Sequence, residues 1–565
     1  MTRGRWTLPI ALLATIPAVA CGGRGAVGPA GPATGPLAGL DPDRYPVLPM
    51  PASLRPATGA FRLTAGTPIL VPAGDSSVAN AARLFARQVR AAGGPALDVV
   101  PGARARGPGG IVVEVDASLR TGGRPDLPAF DPAAEAYLLT VDTAGVRLAA
   151  ATPAGVFRGL QTLAQLVEGG AEARVHAVEI RDRPRFGYRG MHLDVGRHLF
   201  PVEFIERYID VLARFRMNVF HWHLTEDQGW RIEIGAYPEL TRVGAWRTET
   251  QVGRRDEGLG GDGTRYGGFY TREDVRRVVR YAAERHVTVI PEIEMPGHAR
   301  AAIAAYPELG CGYDSATVAT TWGIHEEIFC PSETTFEFLE TVLTEVMELF
   351  PSPYIHIGGD EAPKAAWERS EVAQEVIRRE GLGDEHELQS WFIRRIEAFL
   401  NANGRRLIGW DEILEGGLPP NATVMSWRGM EGGIDAARAG HDVIMTPTNH
   451  AYFDYYQGDP AREPLAIGGF VPLERVYELE PVPPELTEAE ARHILGGQAN
   501  LWTEYVRTPG QAQYMAYPRA LAMAEALWSP PDVRDLDHFL ARLPHALRRL
   551  DRLGVVYRVP DTISR

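Results

Sequence analysis

Tyr354-Ile355-His356-Ile357-Gly358-Gly359-Asp360-Glu361 reads as a short apolar strand that stops on two glycines and then presents two adjacent carboxylates. Glycine lets the backbone turn sharply or approach a ligand closely. Two neighbouring carboxylates do not both ionise freely, so one is pushed towards its protonated form. A carboxylic acid held protonated near neutral pH is what a general acid needs. A lone Asp-Glu pair is more often a solvated acidic turn at a strand end, so the rest of the chain must decide.

Working outward, the strand-then-polar pattern recurs. After Arg183-Pro184-Arg185 the strand-like runs are Gly190 to Val195, Val219 to Leu224, Thr288 to Ile293, Tyr354 to Gly359, Arg406 to Trp410, Thr423 to Trp427, Asp442 to Thr446 and Gly497 to Trp502. Helix-like stretches alternate with them at Val202 to Arg216, Arg272 to Arg285, Thr335 to Leu349, Leu388 to Ala402 and Ile434 to Ala439. Alternating strands and helices make parallel βαβ units, and eight such units predict a closed (β/α)8 TIM barrel over residues 184–565. Barrels of this kind carry their active sites at the C-terminal ends of the strands.

Those ends are where the polar and aromatic residues stand. In strand order they are Arg197 and His198; Glu226, Asp227 and Trp230; Glu292, Glu294 and His298; Asp360 and Glu361; Trp410, Asp411 and Glu412; Trp427; Tyr452 and Asp454; Trp502 and Glu504. One such tryptophan is as well explained by barrel packing, but several at one rim are not. Indole rings stack on the apolar face of a pyranose, and carboxylates accept from its hydroxyls, so the rim predicts a sugar site.

The 565 residues suggest two or three domains, and 45% hydrophobic with 23% charged residues is the composition of a globular protein. A net charge of −14 argues against a nucleic-acid partner. Residues 45–183 mix strands (Thr67 to Val71, Gly110 to Val115, Tyr137 to Val141) with helices (Val78 to Ala91, Gly155 to Glu168), a small α/β domain with no evident chemistry.

Residues 1–21 read as a signal peptide, with Arg3 and Arg5 ahead of the apolar run Trp6 to Ala20. Ala18-Val19-Ala20-Cys21 is similar to a lipoprotein cleavage box, so Cys21 is a lipidation candidate, with plain secretion as the alternative. Residues 22–44 form a Gly/Pro/Ala-rich tether. The expected location is periplasmic or attached to the outer membrane through Cys21. Export brings an oxidising compartment, where Cys311 and Cys330 can pair as a disulfide worth roughly 3 kcal/mol; two buried free thiols are the alternative. No Cys-x-x-Cys pair is present, and neither a metal nor a cofactor is expected.

The motifs now on the page resemble those of family 20 glycoside hydrolases, the β-N-acetylhexosaminidases. The resemblance rests on the stretch around Asp360-Glu361, on Trp222-His223-Leu224-Thr225-Glu226-Asp227-Gln228-Gly229-Trp230-Arg231 and on Tyr188-Arg189-Gly190-Met191-His192-Leu193-Asp194. Pro291-Glu292-Ile293-Glu294-Met295-Pro296-Gly297-His298, Gly409-Trp410-Asp411-Glu412 and Gly497-Gln498-Ala499-Asn500-Leu501-Trp502-Thr503-Glu504 also fit. It implies exo-hydrolysis of terminal β-linked GlcNAc or GalNAc by a retaining, substrate-assisted route, an exception to the usual two-carboxylate scheme. In that reading Glu361 is general acid and base, Asp360 orients the acetamido group and Tyr452 hydrogen-bonds its oxygen. Asp227 and His298 support Glu361. Trp410, Trp427 and Trp502 wall the pocket, and Arg189, Asp454 and Glu504 bind hydroxyls. Of the adjacent Glu226 and Asp227 one is expected to point away, and Asp227 is taken as the inward one. Lys364, the only lysine among 58 basic residues, reads as a local pairing residue.

Spacing alone leaves Asp227, Glu294, Asp411 or Glu504 open as a protein nucleophile. Two other classes also stay open. His221-x-His223 places two imidazoles on one strand face, which suits a metal-dependent barrel hydrolase, although no other His or Lys falls at a suitable strand end. A catalytically silent carbohydrate-binding barrel is the second.

Overall fold

The computed structural model describes residues 37 and 39–563, apart from 103–108, 125, 169, 171–172, 255–256, 314 and 562. The expected signal segment, Cys21 and most of the tether lie outside the described residues.

Eight parallel strands close into a barrel: Tyr188–Asp194, Val219–His223, Thr288–Glu292, Tyr354–His356, Arg406–Trp410, Thr423–Ser426, Val443–Met445 and Ile494–Ala499. They are called the first to eighth barrel strands below. Nearly every strand residue is buried, which is why these runs read as apolar without clean alternation. Tyr188, Val219, Ile290, Tyr354, Ile408, Met425 and Ile444 belong to one interior cluster, with Phe130 from the preceding domain packed against Tyr188 and Tyr354 at 5.0 Å. Amphipathic helices wrap the outside; Val202–Arg214, for example, buries Phe204, Ile205, Tyr208, Ile209 and Leu212.

Two barrel strands moved by three residues from their expected bounds, and the others by two or fewer. The fourth strand ends at His356 rather than Gly359, and the eighth spans Ile494–Ala499 rather than reaching Trp502. In both cases the motif residues form the loop beyond the strand, which leaves their side chains free to face the pocket.

The N-terminal domain is a seven-stranded mixed sheet in the order Ser53–Arg62, Arg174–Asp182, Tyr137–Asp142, Gly145–Ala150, Ile111–Val115, Pro68–Val71, Asp98–Pro101. The reading from periodicity missed four of these. Ser53–Arg62 is an edge strand with a mostly exposed middle and a register break after Pro56, so it shows no apolar alternation. The helix Pro153–Leu166 is almost wholly buried: Leu148 of the sheet crowds Gly159, while Arg158 donates to the His286 carbonyl of the barrel at 2.7 Å.

Candidate active site

Gly358 and Gly359 end the fourth strand in the left-handed region, at φ 68° and 90°. A side chain fits at neither position: a Cβ would lie 1.7 Å from Glu294 Oε2 at Gly358 and 2.6 Å from Ile413 at Gly359. Glu361 and His298 are themselves left-handed, at φ 45° and 49°. Such strain in non-glycine residues, on the order of 1–3 kcal/mol each, concentrates at functional sites. The turn is braced from behind. Gln389 donates to the Gly359 carbonyl at 2.8 Å, and Lys364 donates to the Ala362 carbonyl at 2.8 Å and to Gln389 Oε1. The single lysine is therefore a local pairing residue of the turn.

The turn separates the two carboxylates. The Asp360 side chain is 11% exposed and that of Glu361 is 35% exposed. Asp360 Oδ1 is buried without a hydrogen-bond partner. Burial pushes Asp360 well above the usual carboxylate range; His298 opposes this, and the carboxylates of Glu412, Glu361 and Glu292 add to it. The member of the pair that the fold drives towards protonation is thus Asp360.

His298 Nε2 lies 3.5 Å from Glu361 Oε2. On its other side Nδ1 lies 3.1 Å from both Asp227 Oδ2 and Glu226 Oε1. The expectation that Glu226 points away is corrected. Thr225–Glu226 pairs with Gly229–Trp230 in a two-rung hairpin rather than continuing the strand, so alternation no longer sends neighbouring side chains to opposite faces. Burial alone would lower the His298 pKa, but Glu226, Asp227 and Glu361 overcome it and hold the imidazole well above its ordinary value.

A pocket of about 400 Å³ opens over this turn. Trp410, Trp427, Trp502 and Tyr452 line one part, with Trp427 stacked on Tyr452 at 6.1 Å and Trp410 5.8 Å from Trp502. Arg197, Asp454 and Glu504 line another. Asp454 Oδ1 and Glu504 Oε2 are buried without partners, and burial raises both carboxyls.

Arg189 is not in this pocket, which corrects its expected role. It is the second residue of the first strand, at the opposite end of the barrel, and is fully buried. Its guanidinium donates to Glu135 at 2.7 Å, to the Arg216 carbonyl at 2.8 Å and to the Phe186 carbonyl at 2.7 Å. Burial would raise Glu135, but Arg158 and Arg189 bring it down to about 2. The arginine that reaches the pocket is Arg197, beyond the same strand. It pairs with Glu226 at 2.6 Å, bonds Gln228 at 3.1 Å and lies over the Trp502 ring at 5.1 Å.

Residues 186–531 match the model of glycosyl hydrolase family 20, catalytic domain, and residues 44–183 match that of glycosyl hydrolase family 20, domain 2. The chain belongs to glycosyl hydrolase family 20. A beta-hexosaminidase of Porphyromonas gingivalis is 47% identical over 91% of this chain and 64% of its own length. One from Akkermansia muciniphila is 36% identical over 72% of this chain and 82% of its own length. The chain thus spans just under two thirds of the P. gingivalis relative, and the same share, 64%, of a Vibrio furnissii beta-hexosaminidase. The structure of the GH20 beta-N-acetylhexosaminidase from Streptomyces coelicolor matches with a TM-score of 0.76 at 31% identity, covering 92% of this chain and 98% of that one. The GH20 exo beta-N-acetylglucosaminidase from Vibrio harveyi, solved with N-acetylglucosamine, matches with a TM-score of 0.77 at 31% identity, covering 92% and 79%.

Of the four carboxylates that spacing left open as nucleophiles, two are held by hydrogen bonds and a third is buried outside the lining of this family 20 pocket. Asp227 accepts from the Arg300 backbone at 3.0 Å besides contacting His298. Glu294 lies buried under Gly358. Asp411 accepts from the Trp427 backbone at 3.0 Å and the Arg428 side chain at 2.6 Å. Its neighbour Glu412 accepts from the Trp427 indole at 2.8 Å, so this pair positions a wall.

The histidine pair of the metal reading is not isolated, which corrects the sequence argument against it. His192 and His356 join His221 and His223 around Glu292 in the barrel interior. The hydrogen bonding nonetheless disfavours a metal. His192 Nδ1 accepts from the Leu501 backbone at 3.3 Å, and His221 Nδ1 accepts from Gln498 at 3.0 Å. Each proton therefore sits on Nε2, which faces Glu292 Oε2 at 4.0 Å and 3.1 Å. A ligating histidine needs the reverse, a free Nε2 and a donating partner nitrogen. Glu292 also accepts from the Trp410 indole at 2.9 Å and contacts His223 Nδ1. Burial opposes its ionisation, but His356, His223 and His221 hold it well below the usual carboxylate range.

The disulfide Cys311–Cys330 closes the loop that carries Trp322, and Trp322 lines the pocket beside Ile324. Trp230, by contrast, donates to the Ile232 carbonyl at 2.7 Å and packs on Phe338. The sequence signal for Arg197 and Glu226 was their place just beyond the first and second strands. Tyr455, Ile467 and Tyr505, also in the lining, carry no such signal because they stand on long rim loops.

Proposed function

We propose that this chain is an exo-acting β-N-acetylhexosaminidase that removes terminal β-linked GlcNAc or GalNAc by a retaining, substrate-assisted route. The observation that carries the reading is the unequal setting of two adjacent carboxylates. Asp360 is buried with a free oxygen beside the Trp410, Trp427 and Trp502 walls, and Glu361 is more open and beside His298. Relatives bearing the name beta-hexosaminidase and a family structure holding N-acetylglucosamine support it.

In this reading the indole walls and Tyr452 enclose the acetamido group. Asp360 accepts from the acetamido N–H, which aims the acetamido oxygen at the anomeric carbon. That oxygen bonds to the anomeric carbon while Glu361 gives its proton to the departing glycosidic oxygen. An oxazolinium forms; the acetamido N–H and then this positive charge offset the burial that raises Asp360, so Asp360 is ionised throughout and the only proton moved in the step is that of Glu361. Glu361, now a carboxylate, takes a proton from water, the water oxygen bonds to the anomeric carbon, and the ring opens back to the acetamide. Two inversions give net retention. Arg197, Asp454 and Glu504 take the sugar hydroxyls, with the two unpartnered carboxyl oxygens as acceptors.

The test compares an aryl N-acetyl-β-glucosaminide with the matching aryl β-glucoside. Turnover of the first and not the second is expected, with strong inhibition by a thiazoline mimic of the intermediate. The reverse preference sinks the proposal, and absence of any turnover favours the silent binding barrel.

Export, with Cys21 as a lipid anchor, is part of the same proposal. Its support is the basic start, the apolar run and the cysteine that closes it, together with a pairing for the two other cysteines of the chain. A Cys21→Ser substitution that leaves the protein in the membrane fraction of its host counts against lipidation.

A further inference from the structure

On the side of the molecule where the N-terminal domain meets the last helix, Leu536–Arg552, lies a separate, partly open cavity of about 100 Å³. Two of its walls are the helices Ser76–Ala91 and Pro153–Leu166. None of its lining residues is shared with the barrel pocket.

Gln161, 2% exposed, accepts from Gln88 at 3.0 Å through Oε1, while its buried Nε2 has no hydrogen-bond partner. Arg549 donates from Nη2 to the Gln165 carbonyl, while its buried Nη1 has no partner. Both side chains line the cavity, as do Arg552 and Arg214. Arg214 is committed to Asp210 at 2.7 Å. Among the described residues no carboxylate lines the cavity, and Arg549 has no acidic partner within salt-bridge distance.

Buried donors without acceptors are costly, the more so on a guanidinium without an anion, and proteins keep few of them. Burial, together with Arg552 and Arg548, pulls Arg549 down to about 9, the direction expected of a guanidinium that lacks a counter-ion. The rest of the wall is apolar, from Val89, Phe215 and Leu553. The volume matches roughly three water molecules of liquid, space for a ligand of about five heavy atoms.

We propose that this cavity binds a short-chain carboxylate. Its oxygens would take the free N–H groups of Arg549 and Gln161, and its hydrocarbon would rest on Val89, Phe215 and Leu553. Because the walls come from the N-terminal domain and the last helix, occupancy ties these elements together and raises stability without touching the hydrolytic pocket.

The test is thermal unfolding of the full chain in sodium propionate, sodium phosphate and sodium chloride at equal pH and ionic strength. Propionate is expected to raise Tm saturably by several degrees, chloride not at all and phosphate less than propionate. Arg549→Met and Gln161→Leu should each remove the propionate response and leave aryl-substrate hydrolysis unchanged. Equal responses to all three salts, or a propionate response that survives in both variants, overturns the site. A phosphate response as large as that of propionate overturns the carboxylate assignment. If Arg549→Met does not fold, Gln161→Leu and calorimetric titration of the unmodified protein with propionate decide: no saturable heat, or equal heat in Gln161→Leu, overturns it.

Discussion

Glu226 Oε1 lies 3.1 Å from His298 Nδ1 and, at the same time, 2.6 Å from the Arg197 guanidinium. One carboxylate oxygen thus joins the arginine end of the pocket to the histidine beside Glu361. Burial alone would lower the His298 pKa, and Glu226 is the largest of the groups that raise it. In Glu226→Gln the imidazolium should lose its proton at lower pH. The alkaline limb of kcat/KM should move down in pH, and KM should rise because Arg197 loses its partner. A profile that keeps its alkaline limb in place shows that Glu226 does not act through His298.

Glu361→Gln should cost about 10² to 10⁴ in turnover of poor leaving groups, the usual worth of a positioned proton donor. Activated aryl leaving groups should lose less in the first step. Stability should stay within about 0.5 kcal/mol, because the side chain is 35% exposed and Gln keeps its shape. Leaving-group dependence measured across a series of aryl substrates checks this.

Arg189 and Arg197 separate structure from binding. Arg189→Met strands the buried Glu135 charge shared with Arg158 and should destabilise by about 3–5 kcal/mol, with KM of the folded fraction unchanged. Arg197→Met should raise KM by an order of magnitude or more. Denaturant unfolding and steady-state kinetics on both variants read the two effects, and a large KM change in Arg189→Met contradicts its placement.

Glu294 is buried with both oxygens unpartnered. Burial first, then Asp360 and Glu292, push it well above the usual carboxylate range. For a folded pKa above the unfolded value of about 4.3, the contribution to stability is full below that value and is lost as pH rises towards the folded pKa. Glu294→Gln lacks this loss. Its stability relative to the unmodified protein should therefore rise from about pH 4 upward, by about 1.4 kcal/mol per pH unit while Glu294 stays protonated in the fold. Urea unfolding at several pH values checks the slope, and a flat difference rejects it.

The Cys311–Cys330 bridge closes the loop bearing Trp322 and Ile324 at the pocket rim. Replacing both cysteines with serine should cost about 3 kcal/mol by the loop-entropy estimate and raise KM more than it lowers kcat. An oligosaccharide substrate should show the KM effect more strongly than an aryl monosaccharide. Equal effects on both would place Trp322 outside substrate contact.

Much of this protein was legible in one dimension. Barrel strands buried on both faces read as continuous apolar runs, so Tyr188–Asp194, Val219–His223 and Arg406–Trp410 were found within two residues. Paired glycines before Asp360 announced a turn, and that turn needs glycine because Glu294 and Ile413 fill the space where side chains would stand. The edge strand Ser53–Arg62 was not legible, since an exposed strand carries no apolar period.

The barrel, the place of Asp360 and Glu361 beyond its fourth strand and the tryptophans at the rim are all written in the chain. All of these follow from local patterning and short-range turn chemistry. Which end of a strand a side chain serves emerges from the folded barrel instead. Arg189 and Arg197 lie eight residues apart on one continuous segment, yet one closes the barrel's underside against Glu135 and the other faces the pocket. The tertiary structure alone also gathered His192, His221, His223 and His356 from three strands around Glu292 on a fourth, and turned both Glu226 and Asp227 onto His298. Spacing along a chain gives the face of a strand, but a pair of charges acts through distance, and distance is set by closure of the barrel.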